Sequence, residues 1–235
     1  MSLLETRGLS KTFAGLTAVD GVDLTLQTGE IRGLIGPNGA GKTTLVGLLC
    51  GRIEPTAGSV SFEGRAITHL PAHRRIRAGM AYTFQITSVF ARLSLAENVA
   101  LAARRRFPSG AADREAASAL DRVGLGARGA DIAGDMAYGH QRLLEIAMGI
   151  VQKPRLLIMD EPTQGLSDAE IERFQTLVRA LAGETAVLLI EHNMNVVRAL
   201  AHRVTVLNFG TILAEGTPDE IHADPAVQAA YLGTG

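Results

Sequence analysis

The segment Gly36-Pro37-Asn38-Gly39-Ala40-Gly41-Lys42-Thr43-Thr44 fits the spacing G-x-x-x-x-G-K-[ST]. Its glycines let the backbone take positive φ angles and turn N–H groups into a concave loop. Those donors, with the N-terminus of a following helix, make a ready anion site. Lys42 adds a point charge suited to β- and γ-phosphates, and the Thr43 hydroxyl can ligate Mg²⁺. An ordinary glycine-rich turn has similar composition but lacks this context. A strand-like run, 30–35, leads in, and a helix-like run, 44–50, leads out, as a phosphate loop requires. The chain is expected to bind a nucleoside triphosphate.

A phosphate loop alone does not hydrolyse its ligand. Hydrolysis also needs a positioned metal, an oriented water and charge stabilisation. Asp160 closes the apolar run Leu156–Met159. It would project from the carboxyl edge of a buried strand, where ligands of open α/β sheets bind, and a carboxylate there suits Mg²⁺ held through water. Glu161 follows at once, placed as a base that polarises the attacking water. A solvated acid pair at a strand end is the plainer alternative. His192 follows a second buried run, Leu189-Ile190-Glu191. Its imidazole can meet the γ-phosphate or fix the water, although a lone histidine more often serves structure. Gln85, after Tyr82-Thr83-Phe84, can offer an amide oxygen to metal or water; the residues alone leave that open.

Elements of matching character must position these groups. Residues 1–35 read as strands, with half-buried alternation near 22–26, and short strands follow near 59–62 and 79–84. From about 88 to 140 the chain is rich in Ala, Arg and Leu, broken at Phe107-Pro108-Ser109-Gly110 between two helices. Arg104–Arg106 reads as a solvated helix end, with a partner or lipid-headgroup contact as the weaker option. Beyond 140, helices at 144–151 and 169–181 alternate with strands at 155–159, 185–190 and 203–209. A hairpin at Gly210 leads into 211–215, and helices at 218–222 and 225–232 close the chain. Such alternation implies an α/β core with a mainly parallel sheet. The expectation is one domain, 1–235, with a core of about 1–87 and 141–235 and a helical subdomain of about 88–140.

Composition sets bounds. The chain's 235 residues, 46% of them hydrophobic, suffice for one substantial core. A net charge of −1 offers no basic field for nucleic acid. Cys50, the single cysteine, excludes an internal disulfide framework, suits a reducing compartment and reads as a core residue. The N-terminus lacks the pattern of a signal peptide. No apolar run approaches the ~18 residues of a membrane span, so any membrane part is expected from another chain.

Together these motifs resemble the ATPase subunit of ATP-binding-cassette (ABC) transporters, over essentially the whole chain. The resemblance implies a P-loop NTPase (RecA-like) core with an N-terminal antiparallel β-subdomain and an inserted α-helical subdomain. Gly36–Thr44 then corresponds to Walker A, Gln85 to the Q-loop and Leu156–Glu161 to Walker B. Pro162–Asp168 corresponds to the D-loop and His192 to the switch histidine. Phe13 matches the aromatic that stacks on adenine, with Val19 beside it; a core aromatic is the alternative for Phe13. The implied catalytic set is Lys42, Gln85, Glu161 and His192. Thr43, Gln85 and Asp160 would hold Mg²⁺, and ATP is the implied nucleotide. Implied partners are ABC permease subunits, a second identical or paralogous ATPase subunit, and indirectly a periplasmic or extracellular solute-binding protein. Implied location is the cytoplasmic face of the cell membrane. The segments 82–85, 137–147, 190–194 and 230–233 are similar to branched-chain amino acid uptake ATPases, a group with urea and amide importers. Lipopolysaccharide-export ATPases share some of these marks. A soluble ABC ATPase without transport is the remaining alternative.

The sequence departs from the family at one motif. Relatives read Leu-Ser-Gly-Gly-Gln, or Leu-Ser-Tyr-Gly-Gln, where this chain has Met136-Ala137-Tyr138-Gly139-His140. In the family this signature caps the γ-phosphate held by the partner subunit, through the serine hydroxyl and the helix N-terminus. Ala137 has no hydroxyl, and one hydrogen bond to a charged group contributes about 1.5–3 kcal/mol. Donors around Gly139 and the helix dipole remain, and His140 can donate where relatives carry glutamine. The composite site is expected to be weakened rather than abolished, unless the position simply tolerates alanine.

Overall fold

A computed structural model describes residues 2–83 and 88–232. The first half runs β1 (Ser2–Phe13), β2 (Leu16–Val22), β3 (Thr25–Gln27), β4 (Ile31–Ile35), α1 (Lys42–Leu49), β5 (Ala57–Phe62), β6 (Arg65–Ala66), α2 (Ala72–Arg77), β7 (Met80–Thr83), α3 (Leu95–Ala103) and α4 (Ser109–Arg122). After two short 3₁₀ turns come α5 (Tyr138–Ile150), β8 (Leu156–Asp160), α6 (Asp168–Leu181), β9 (Ala186–Ile190), α7 (Met194–Leu200), β10 (Arg203–Asn208), β11 (Thr211–Gly216), α8 (Pro218–Ala223) and α9 (Pro225–Leu232).

Among the described residues the strands form two sheets. The larger has the order β11-β10-β4-β9-β8-β7. Its neighbours are parallel except β11, which returns antiparallel on β10. The smaller sheet, β2-β1-β5-β6 with β3 also on β1, is antiparallel. β4, β8 and β9 are buried along their whole length, as parallel strands covered on both faces must be.

Alternate residues of those strands serve different cores. Leu157, Met159, Val187 and Leu189 join α3, α4, α5 and α6 in one cluster. Leu156, Ile158, Leu188 and Ile190 join α1 and the antiparallel sheet in another. The helix after the phosphate loop is therefore clamped between two sheets. Cys50 lies in that second core, where burial pushes its thiol pKa up to about 12.

The stretch 16–26, alternating in its second half, divides into β2 and β3, because the chain turns at Asp23, whose carboxylate accepts the Gly8 N–H at 2.6 Å. The helix expected from 144 begins at Tyr138, so the boundary expected near 140 falls inside α5. That helix packs on α3 and α4 and also on β7 and β8, so it links the helical layer to the parallel sheet. Ser94 and Glu97 form a reciprocal capping box at the start of α3, and Arg104 ends that helix. The arginine run 104–106 sits at a helix C-terminus, where cations complement the dipole. Among the described residues no helix is long and apolar enough to cross a membrane.

Candidate functional site

The phosphate loop leaves the carboxyl end of β4, at the centre of the parallel sheet. Gly36 has φ +149°, and a Cβ there would run into the Leu207 carbonyl of the adjacent strand. Gly41, at φ +101°, precedes α1 and lies as closely against the Ala18 carbonyl. No residue with a side chain fits either place without displacing backbone. Asn38 and Gly39 are exposed, and Thr43 is exposed on the first turn of α1 beside the partly buried Thr44. Ala40 is buried; its N–H is bonded to the Pro37 carbonyl, and its carbonyl accepts the Gly210 N–H at 3.0 Å. Lys42 is buried, and its ammonium donates to the carbonyls of Gly36 and Pro37 at 2.5 and 2.9 Å. Burial holds Lys42 below the usual lysine range, opposed by the carboxylates of Glu161 and Asp160.

Asp160 ends β8 two strands away, buried, with its carboxylate accepting the Tyr82 hydroxyl at 3.1 Å. Desolvation raises its pKa, Glu161 adds to that, and Tyr82, Arg142 and Lys42 oppose it. Such a carboxylate has a reason to take a cation. Among the described residues no three His, Cys, Asp or Glu side chains gather as a protein-only metal cage. Oxygen donors such as Asp160 and Thr43 suit Mg²⁺, which keeps water and phosphate oxygens in its shell. Thr43 and Asp160 are the residues that would hold it, and the ion would supply neutralisation of phosphate charge. Gln85, the third expected ligand, lies outside the described residues.

Glu161 follows on a left-handed backbone, φ +51°. Its carboxylate sits 2.6 Å from His192 Nε2. His192 comes from the turn after β9, so neighbouring strands deliver the two side chains to one point. A carboxylate and an imidazole in contact can together orient a water and pass its proton.

Three supporting residues, Arg142, Glu191 and Tyr82, lie in segments that carry the family resemblance, but no role was expected of them. Arg142, fully buried on α5, pairs with Glu145 at 2.9 Å and donates to the backbone carbonyls of Asp160 and Glu161. Glu191, also buried, accepts from the Thr163 hydroxyl at 2.6 Å and from the N–H groups of Thr163 and His192. It thereby ties the segment after Glu161 to the histidine turn. Tyr82 is the partner of Asp160 already described. A buried glutamate directly before His192 is the one such signal the sequence carried.

Phe13 is 43% exposed, with the Lys11 ammonium 5.0 Å from its ring centre. Its ring is a surface, as a base-stacking role needs. Val19 is different. Expected beside Phe13, it is fully buried in the core under α1, because strand alternation turns it inward.

The signature segment begins α5. Ala137 is its N-cap, at φ −56° and ψ 149°, and no side chain caps the helix. Tyr138 is exposed, its hydroxyl 3.4 Å from Gln164. Gly139 is pressed on the Gly165 backbone: a Cβ would lie 2.5 Å from that carbonyl oxygen. His140 is partly exposed and paired within this chain. Its Nε2 is 2.9 Å from Glu170 of α6, and its Nδ1 is 3.1 Å from Arg128. The backbone of Ala137 already has cap geometry, so Ala137→Ser should stabilise α5 by about 0.5–2 kcal/mol, read by urea unfolding. The same change should raise ATP turnover of an assembled transporter; no rise would exclude Ala137 as a weak point.

A glycine-rich loop feeding α1, acids at the end of a strand two places away and a parallel sheet covered on both faces define a P-loop nucleotide-binding protein. Comparison narrows this class. The family described as "ABC transporter" matches residues 19–164, and "Branched-chain amino acid ATP-binding cassette transporter" matches residues 211–235. The high-affinity branched-chain amino acid transport ATP-binding protein LivG of Salmonella typhimurium is 41% identical, over 98% of each chain. The lipopolysaccharide export system ATP-binding protein LptB of Acidithiobacillus ferridurans is 35% identical, over 98% of this chain and 97% of its own. A crystal structure of a nucleotide-free ATP-binding cassette from an ABC transporter superposes with a TM-score of 0.89 at 25% identity, covering 98% of this chain and 99% of the other. The protein belongs to the ABC transporter ATP-binding family.

Proposed function

We propose that the chain is the ATP-hydrolysing subunit of an ABC importer for branched-chain amino acids, acting at the cytoplasmic face of the membrane. The supporting observation for the solute class is the 41% identity to LivG along nearly the whole chain. The further match of residues 211–235 agrees with it. Two such chains would enclose two ATP molecules, each between the loop of one chain and the α5 N-terminus of the other. Phe13 would stack on adenine, and the loop N–H groups, Lys42 and Thr43 would hold the phosphates and Mg²⁺. Glu161, steadied by His192, would take the proton of the attacking water. Closure and reopening of the pair would drive permease subunits served by a solute-binding protein.

The test is reconstitution of the chain with its permease and binding protein in lipid vesicles. Leucine with the binding protein should stimulate ATP hydrolysis and enter the vesicles. Stimulation by urea or short amides instead would move the solute class and leave the ATPase role standing. Lipopolysaccharide release without uptake would favour the export reading that LptB represents.

A further inference from the structure

His140 lies on the first turn of α5, and its ring bridges two other elements. Nδ1 is 3.1 Å from Arg128 Nη1, at the end of the 3₁₀ turn Gly126–Arg128. Nε2 is 2.9 Å from Glu170 Oε1, on α6. A guanidinium has donors only, so Nδ1 must accept. The proton of the neutral imidazole is then on Nε2, which donates to the carboxylate. Both ring nitrogens are used, and the ring needs no charge. The other oxygen of that carboxylate, Glu170 Oε2, accepts the N–H and the hydroxyl of Ser167 at 2.8 and 2.7 Å. Arg128 is itself steadied by Asp131 at 2.7 Å. A polar chain thus runs from the 3₁₀ turn, through His140, to Ser167, the N-cap of α6.

This chain crosses a gap. A cavity of about 620 Å³, with His140 and Glu170 in its wall, is lined by Leu143 of α5 and by Phe174 and Leu177 of α6. Side chains therefore do not fill the space between the two helices at this point, and the hydrogen bonds carry the connection. Ser167 closes the segment 162–167 that follows Glu161. The same segment meets α5 twice more, where the Gly165 carbonyl faces Gly139 and where Gln164 lies 3.4 Å from the Tyr138 hydroxyl.

We propose that His140 is a positioning residue: with its proton on Nε2, it holds the cap of α6, and with it the segment after Glu161, in register with the start of α5. This rests on reading Glu161 and the start of α5 as parts of an ATP-hydrolysing site. His140 acts through Glu170 and Ser167 rather than on a phosphate. A glutamine amide, with one acceptor and one donor group, can make the same pair of bonds. A leucine can make neither.

The test uses the full chain, alone and in the assembled transporter, with imidazole and amide nitrogen resonances as the structural readout. At about pH 8, above the usual histidine range, the native His140 ring should carry its proton on Nε2. A proton on Nδ1 would overturn the proposal, since Arg128 could not then donate to it. His140→Leu should shift the Ser167 amide resonance and speed its hydrogen exchange. It should lower ATP turnover of the assembled transporter about 10-fold, the low end for loss of one hydrogen bond to a charged group. Mg·ATP affinity of the isolated chain, measured by calorimetry, should stay as it is, because Lys42 and the loop are untouched. His140→Gln should restore both the turnover and the Ser167 amide. An unmoved Ser167 amide or unmoved turnover in His140→Leu would overturn the proposal. So would an equal loss of ATP affinity, or a failure of glutamine to restore turnover. A native transporter that hydrolysed no ATP would refute the nucleotide reading instead, and the ring proton and the Ser167 amide would still decide whether His140 holds the cap of α6.

Discussion

Glu161→Gln is expected to cut ATP turnover about 10²–10⁴-fold, the range over which a positioned base contributes, while the fold stays intact. Glutamine fills the same space and can still accept a hydrogen bond from His192 Nε2, which lies 2.6 Å from the carboxylate. The left-handed backbone at this position, φ +51°, is unaffected by the exchange. Unfolding free energy should therefore move by no more than about 0.5 kcal/mol. What disappears is the basic oxygen able to take a proton from water. ATP should still bind, because the loop and Lys42 are untouched, and the ATP-loaded pair should persist. Size-exclusion chromatography with Mg·ATP should show a lasting dimer for the variant and a transient one for the native chain. Single-turnover measurement gives the rate. A variant within tenfold of the native rate would remove Glu161 as the base.

His192 gives a companion expectation from the same geometry. Its side chain is 48% exposed whereas that of Glu161 is 14% exposed, so the histidine reaches in from the solvent side. Removing it should leave the carboxylate in place but free to rotate. The loss in turnover should be smaller than for Glu161→Gln, with ATP affinity little changed.

Much of this site could be read from local sequence because each part announces itself in its own few residues. The glycine spacing at 36–41, the acids after an apolar run at 160–161 and the histidine after another at 192 are all strand-end signals. A buried parallel strand exposes its side chains at the carboxyl end, so three such runs in one α/β chain point to one edge. The contacts that hold these groups still were not legible. Arg142 and Asp160 lie 18 residues apart, and Thr163 and Glu191 lie 28 apart. Each pair joins separate elements, so no period within one helix or strand links its members. Arg142 reads as an ordinary charged residue on an amphipathic helix until the fold buries it. His140 shows another limit: its place in the motif suggested a donor, and nothing there announced its pairing with Glu170 of α6. The burial of Val19 was no easier to foresee, since strand phase rather than proximity in sequence decides which face a residue takes.

Arg142→Met is expected to destabilise the chain by about 3–5 kcal/mol, the usual result of removing one partner of a buried ion pair. Arg142 has no exposed surface, and Glu145 beside it is 5% exposed. Desolvation already raises the Glu145 carboxyl pKa, and Arg142 opposes that rise. Without the guanidinium, Glu145 keeps only the Ser88 N–H, at 2.5 Å, among the partners described. The consequence for chemistry is separate. Arg142 also donates to the carbonyls of Asp160 and Glu161, the peptide groups around the left-handed turn. A non-glycine residue in that region costs about 1–3 kcal/mol and persists only where its surroundings hold it. Released, the turn should relax and carry the Glu161 carboxylate away from His192. Misplacement of a reacting group by about 1 Å can cost on the order of 10²-fold in rate. The two effects can be separated with the double variant Arg142→Met, Glu145→Leu. Removing both charges should restore most of the unfolding free energy measured in urea, because no buried charge is left unpaired. Turnover should stay low, because nothing then grips the carbonyls of Asp160 and Glu161. If the double variant recovers stability and turnover together, Arg142 serves only to neutralise Glu145. Stability without turnover makes the helix of the signature segment a mechanical support of the hydrolytic strand end. The α5 N-terminus, proposed to cap a partner's nucleotide, and the turn that carries the proposed base would then move as one body.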